Sequence, residues 1–283
     1  MQRGDTLFPS VVRPILQYSM AHVAPVLRAA LGGRLIYRLV RIIWLGLCWL
    51  DLTLFTALLY MLSFVSAECT QPAYAMLFRA WCRAFVRALG VELRLHQKYQ
   101  DPLPKHFILI ANHPSAFEDI GVPALFNVIS LAKIEVLDWW IAGRINRSAG
   151  TLFVKRESRE SRHAASEQVV EQLGKGRNVA IYPEGGCRGK RIFSSFRYGA
   201  FDISLRTGVP IVPVFLQYEA QDTFEWKPHE TLMRKLWQFL NAPNKHVNYY
   251  VYDAIDPSGF SDKRNYCEFV HRLYVDWQAK YLD

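Results

Sequence analysis

The chain has 283 residues and 32.7 kDa, with 51% hydrophobic, 14% aromatic and 21% charged residues. That mix excludes a disordered, collagenous or low-complexity chain, and the length suffices to bury a core without disulfide or metal staples. A net charge of +9 points to a polyanionic neighbour, either an anionic bilayer or nucleic acid, and the five scattered cysteines have neither redox nor metal-ligand spacing.

Residues 1–50 carry six arginines against Asp5 alone, so the positive excess is concentrated at the start of the chain. Next to it stands an apolar run, 42–67, of 26 residues with one charge, Asp51. About 20 apolar residues cross a hydrocarbon core, so the run is long enough for a membrane, and it starts too deep in the chain for an ordinary signal peptide. Asp51 divides the run, and an acid at mid-bilayer costs roughly 2.5–3.5 kcal/mol. The flanking twenties hold four arginines (28, 34, 38, 41) and three (79, 83, 87), too even for the positive-inside rule to orient a span. A helical hairpin dipping into one leaflet, both ends cytoplasmic, is therefore favoured over a simple span. In 72–89, Arg79, Arg83 and Arg87 recur every four residues and Trp81, Phe85 and Leu89 lie largely elsewhere, the pattern of a helix lying in the headgroup plane. Residues 1–90 thus read as a membrane-anchoring helical region.

From about Val91 the texture changes to short apolar runs alternating with polar helical stretches. Strands are expected at 107–111, 152–154, 178–182, 211–215 and 247–252, and helices at 135–143, 161–173, 198–206 and 261–282, the last capped by Ser261 or Asp262. Pro210 and Pro213 suggest an edge or strand terminus for 211–215. Alternating strands and helices predict an α/β domain over 91–283: a mixed, partly parallel sheet flanked by helices, behind a membrane-embedded N-terminal helical segment.

Four blocks carry chemistry. After the first strand comes Asn112-His113-Pro114-Ser115-Ala116-Phe117-Glu118-Asp119, where a carboxylate can hold one imidazole nitrogen and leave the other free to take a proton. No GxSxG elbow exists, which disfavours a serine hydrolase. The second block, Gly150 to Arg156, delivers Lys155 and Arg156 to a strand end, and Arg156 presents a planar fork suited to phosphate. The third, Tyr182-Pro183-Glu184-Gly185-Gly186-Cys187-Arg188, follows another strand, and its glycines allow close backbone approach to a ligand. Gly189-Lys190-Arg191 lacks the spacing and Ser/Thr of a P-loop, so nucleotide triphosphate hydrolysis is rejected. The fourth comprises 196–201 and Val209 to Val214.

In this order the blocks resemble those of the lysophospholipid acyltransferase superfamily, the group containing bacterial 1-acylglycerol-3-phosphate acyltransferases. The likeness covers about 105–216 in motif order. Gly150, Phe153, Val154 and Arg156 match its G-x-x-F-[VI]-x-R block, Pro183, Glu184 and Gly185 its P-E-G-T-R block, and Val209 to Val214 its V-P-I-V-P-V block. The commonest His–Asp spacing falls on Glu118, while some H-P branches use the longer gap to Asp119; Asp119 is favoured, with Glu118 the alternative. Gly186-Cys187 replaces the usual threonine and moves Arg188 one place on.

The resemblance implies acyl transfer from acyl-CoA or acyl carrier protein to a lysophospholipid hydroxyl, with 1-acylglycerol-3-phosphate as acceptor and phosphatidic acid as product. His113 would be the base, Asp119 or Glu118 its orienter, and Arg156, Glu184, Gly185 and Arg188 would bind substrate. No metal or bound cofactor is implied; the thioester is a co-substrate. The expected partners are the lipid acceptor, the acyl donor and an anionic bilayer, and the expected place is the cell inner membrane, catalytic domain on the cytoplasmic side. Alternatives are another acceptor, a lyso-ornithine or lysophosphatidylcholine-type lipid, or a non-catalytic scaffold of the same fold. Nucleic acid is not expected, because the basic charge sits beside the apolar run and not through a groove-reading element.

Overall fold

The structure, a computed structural model, describes residues 34–283 apart from positions 66, 188, 190, 228 and 229. The apolar run forms one unbroken helix, α1 (Arg34–Leu62), and a short turn leads into α2 (Ala67–Leu89), antiparallel to it. The α/β part then runs β1 (Glu92–Gln97), β2 (Ile108–Ala111), α3 (Glu118–Leu125), β3 (Ile129–Lys133), a 3-10 turn (Ile134–Asp138), α4 (Trp140–Ser148), β4 (Leu152–Val154), α5 (Arg159–Gly174) and β5 (Val179–Ile181). It continues with α6 (Gly199–Thr207), β6 (Ile211–Tyr218), α7 (Gln221–Phe224), α8 (Leu232–Asn241), β7 (His246–Val251), a 3-10 turn (Pro257–Gly259) and α9 (Lys263–Tyr281). Asp262 caps α9, accepting from the backbone N–H groups of Arg264 and Asn265, which leaves four orphan donors two fewer.

The strands form one sheet in the order β1-β7-β6-β2-β5-β3-β4. β6, β2, β5, β3 and β4 are mutually parallel, while β7 is antiparallel to β6 and β1 follows β7. The sheet is mixed as expected. The side-chain period of two divides the core between its faces: Leu109 and Ala111 pack with α2 and α3, and Ile108 and Ile110 pack with α5, α6 and α9. All four are fully buried, which is why this stretch reads as a continuous apolar run and not an alternation.

Three expectations are corrected. β6 is an interior strand, between β7 and β2, not an edge. Pro213 is tolerated because Ile211 turns its N–H toward Ile255, so the ring nitrogen two residues on faces that same side, where β7 has already ended at Val251. Second, Asp51 does not break the apolar run; it meets the half-exposed Arg87 of α2 at 3.2 Å and stays within the helix. The hairpin is instead made by α1 with α2. Third, α2 is not an interfacial helix with a solvated basic stripe. It is the inner helix, covered by α1 and packed on α3; Arg83 Nε donates to Ala124 O (2.9 Å) at the C-terminal end of α3, where a cation complements the helix dipole, and Arg79 is half-buried.

Candidate active site

The parallel strands β2, β4 and β5 all end at one edge of the sheet, where α/β folds collect their ligands. The first, second and third blocks leave from those three ends. Asn112 fixes the first loop by a two-way bond to β6: its Nδ2 donates to Leu216 O (2.9 Å) and its Oδ1 accepts from Leu216 N (2.7 Å). The next residue, His113, is buried, with its N–H donated to Glu184 Oε1 (2.8 Å) and its ring stacked on Tyr182 at 4.2 Å between centroids.

Glu118 is the carboxylate that holds the ring. Its Oε2 lies 2.9 Å from His113 Nδ1 and accepts from Ser115 N (3.1 Å), while Oε1 accepts from the Tyr218 hydroxyl at the end of β6. Three donors converge on this fully buried group, an arrangement suited to the ionised form. The preference for Asp119 is therefore corrected. In the first turn of α3 one residue advances the side chain by about 100°. Glu118 thus turns inward to His113, and Asp119 stands beside the imidazole and Arg156 as a charge without taking Nδ1. Burial pushes Glu118 up to about 8, against the pull of Tyr218 and the backbone donors. Burial also lowers His113 below the usual imidazole range, against Asp119, which keeps the ring in its neutral, proton-accepting form near neutral pH.

The third block brings the pieces together. Glu184 uses both oxygens on backbone, Oε1 for His113 N and Oε2 for Phe193 N (3.2 Å), so it ties the first block to the third. Gly185 turns the chain at φ +72°, a left-handed conformation that favours glycine. A side chain on Gly186 would press on Arg156 Nη1, and the neighbouring Cys187 Sγ lies 3.4 Å from His113 Nε2. Adjacent residues of this loop thus lie against the guanidinium and the free imidazole nitrogen, placing Arg156 and His113 at one short loop. Arg188, expected to bind substrate, lies outside the described residues. Tyr182 opens the third block but had no expected role, and Tyr218 was not foreseen. Tyr218 stands 100 residues from its partner, so no local spacing announces it. Among the described residues no group of three or more His, Cys, Asp or Glu side chains has a metal-binding arrangement.

A carboxylate-held imidazole and an arginine thus meet one short loop at the strand ends. Residues 92–217 match the family model described as Acyltransferase. The chain is 33% identical over 148 residues to a lyso-ornithine lipid O-acyltransferase of Pseudomonas aeruginosa, covering 52% of this chain and 55% of that protein. It is 27% identical over 139 residues to a 1-acyl-sn-glycerol-3-phosphate acyltransferase of Neisseria meningitidis serogroup B, covering 48% and 53%. The chain thus spans about half the length of these curated relatives. The crystal structure of the 1-acyl-sn-glycerophosphate acyltransferase PlsC from Thermotoga maritima shares the fold, with a TM-score of 0.59 at 19% identity over 86% of this chain and 96% of that one.

Proposed function

We propose that the chain transfers an acyl group from a thioester, acyl-CoA or acyl carrier protein, to the free hydroxyl of a lysolipid, with 1-acylglycerol-3-phosphate as acceptor and phosphatidic acid as product. The single observation that carries this is the Glu118–His113 pair whose free nitrogen opens toward the loop shared with Arg156. The acceptor hydroxyl displaces the Cys187 side chain from Nε2 and gives its proton to that nitrogen. Its oxygen attacks the thioester carbonyl, and the departing thiolate takes the proton from the imidazolium. Glu118 keeps the proton on Nδ1 and stabilises the transient positive ring, as an orienting carboxylate does elsewhere. Arg156 faces the acceptor phosphate with its bidentate fork. The scheme calls for no metal or bound cofactor. The lyso-ornithine acceptor is the second reading, favoured by the 33% identity to an enzyme named for it. It has no phosphate for Arg156.

The membrane part fits a lipid acceptor. Among the described residues one helix, Arg38–Leu62 with mean hydropathy 2.0, is long and apolar enough to cross a bilayer. Its C-terminal part is tied to α2 and α4: the Thr56 hydroxyl accepts from Trp81 Nε1 (2.8 Å), Leu59 O from the Tyr74 hydroxyl (2.9 Å), and Ser63 Oγ from Arg144 Nε (2.9 Å). Its opposite side, including Ile43, Leu47, Leu50, Leu54, Leu58 and Met61, is an exposed apolar stripe. This supports a helix lying along the leaflet, its stripe in lipid and the domain at the cytoplasmic face of the inner membrane, where acyl thioesters are made. Extracting acceptor or product would expose acyl chains to water at about 0.8 kcal/mol per CH₂, so a site at the surface avoids that cost.

The test is thiol release from acyl-CoA with each lysolipid. His113→Ala should abolish acceptor-dependent release and still sediment with membranes; full turnover in that variant ends the mechanism. Arg156→Ala should raise KM for 1-acylglycerol-3-phosphate and leave a phosphate-free acceptor unaffected. An acceptor spectrum confined to lyso-ornithine lipid would transfer the assignment to the second reading.

A further inference from the structure

The segment between β3 and β4 carries apolar surface that packing does not use. Trp140 is 79% exposed, Trp139 38%, Ile141 40% and Ile134 37%, on the 3-10 turn and the first turn of α4. A tryptophan left this open in a chain with a large core is an unpartnered surface, because indole carries one of the largest burial gains of any side chain. The segment is joined to the apolar end of α1. The Trp140 and Tyr60 rings meet edge to face at 6.5 Å, Tyr60 meets Phe64 at 5.3 Å, and the Arg144 guanidinium lies 3.7 Å over the Phe64 ring while its Nε bonds Ser63. Phe64, Val65 and Met61 are themselves exposed. The patch therefore continues the lipid-facing stripe of α1 beyond its C-terminus.

From this continuity we infer that Trp139, Trp140 and Ile141 form a wedge that enters the headgroup layer of the bilayer beside α1. The chemistry of the patch selects a lipid surface over a protein partner. Paired indoles, a tyrosine and an arginine at the edge of an apolar stripe are the composition of a membrane–water interface, where the ring is amphipathic and the guanidinium meets phosphate. The position has a consequence for turnover. The wedge leaves β3 at the same edge of the sheet where β2, β4 and β5 deliver His113, Arg156 and Glu184. With α1 along the leaflet and the wedge in the headgroups, that edge is held at the depth where an acceptor's polar group lies. This part rests on the proposed acyl transfer; the insertion itself does not.

Two experiments on the full chain in phosphatidylethanolamine/phosphatidylglycerol proteoliposomes test it. In the first, Trp140→Cys and Val275→Cys are labelled with an environment-sensitive fluorophore, with signal from the labelled parent subtracted, and doxyl-labelled lipid is added. Val275 is an exposed residue of α9, the helix packed on the other face of the sheet. The probe at 140 should be quenched several-fold more than the probe at 275; equal quenching overturns the wedge. In the second, Trp140→Glu should lower acyl transfer to vesicle-embedded 1-acylglycerol-3-phosphate about tenfold or more, the loss of one aromatic anchor. Transfer to a short-chain acceptor below its micellar concentration should persist. Equal loss on both acceptors would make Trp140 a packing residue and overturn its role in turnover. If the parent acylates no lysolipid while the probe at 140 is still quenched, the acyltransferase reading fails and the wedge stands.

Discussion

At the scale of single residues, the distinction that matters is between two adjacent acids. Glu118 is fully buried with three donors on its carboxylate, whereas Asp119 is half-buried and holds no imidazole nitrogen. Glu118→Gln should lower kcat by about 10²–10⁴, the usual worth of an oriented acid–base group, whereas Asp119→Asn should retain most turnover. The pH profile carries the sign. Burial places Glu118 near 8, so the carboxylate that holds Nδ1–H is complete only above that pH, and activity should fall as pH drops through it. In Glu118→Gln that alkaline-placed acid limb should vanish from kcat/KM; a limb that persists would assign it to Asp119 or Glu184, both also raised by burial. The first block was legible because its residues are adjacent in sequence. The choice between Glu118 and Asp119 was not, because it depends on how α3 is rotated against the sheet, and the residue that fixes Oε1, Tyr218, comes from a strand a hundred positions away.

At the scale of elements, the short helix α3 shows why some pieces escaped the sequence. It has eight residues, it contains Pro123, and its first turn is the tail of the catalytic block, so it has no amphipathic period long enough to read. β1 and β3 were missed for a related reason: β1 (ELRLHQ) is half-polar and pairs only with β7, and β3 (ISLAK) is short and only partly buried. The longer apolar strands and the capped helices were legible because burial on both faces and a cap leave local marks. What holds α3 in place is close approach at Gly121, where a side chain would overlap the Tyr249 hydroxyl and crowd Phe117. Gly121→Ala should therefore cost about 1–3 kcal/mol by overpacking, despite the better helix propensity of alanine. In thermal unfolding of the full chain that is a drop of roughly 2–10 °C, and because α3 carries Glu118, kcat should fall with it. An unchanged Tm would show that Tyr249 moves aside freely.

At the scale of the whole molecule, the C-terminal helix reaches back into the site. Tyr274 of α9 is fully buried, and its hydroxyl stands between two neighbouring parallel strands: 2.9 Å from Ile110 O of β2, 3.1 Å from Val214 O of β6, and accepting from Val214 N at 3.2 Å. It links β2 to β6 three residues before His113, between the strand that delivers the imidazole and the one that delivers Tyr218 to Glu118. A buried backbone group that loses its partner costs about 1–3 kcal/mol. Tyr274→Phe keeps the ring against Phe196 and Phe215 and removes only the oxygen, so the loss is of hydrogen bonding and not of packing. The expected result is a stability loss of about 1–3 kcal/mol in chemical denaturation together with a fall in kcat at little change in KM. The two strand ends would then hold the His113–Glu118–Tyr218 chain less firmly, while Arg156, just past the end of β4 at the far edge of the sheet, keeps its place. A fall in KM affinity with kcat intact would instead mean that α9 supports the acceptor pocket and that the β2–β6 junction aligns the imidazole without it.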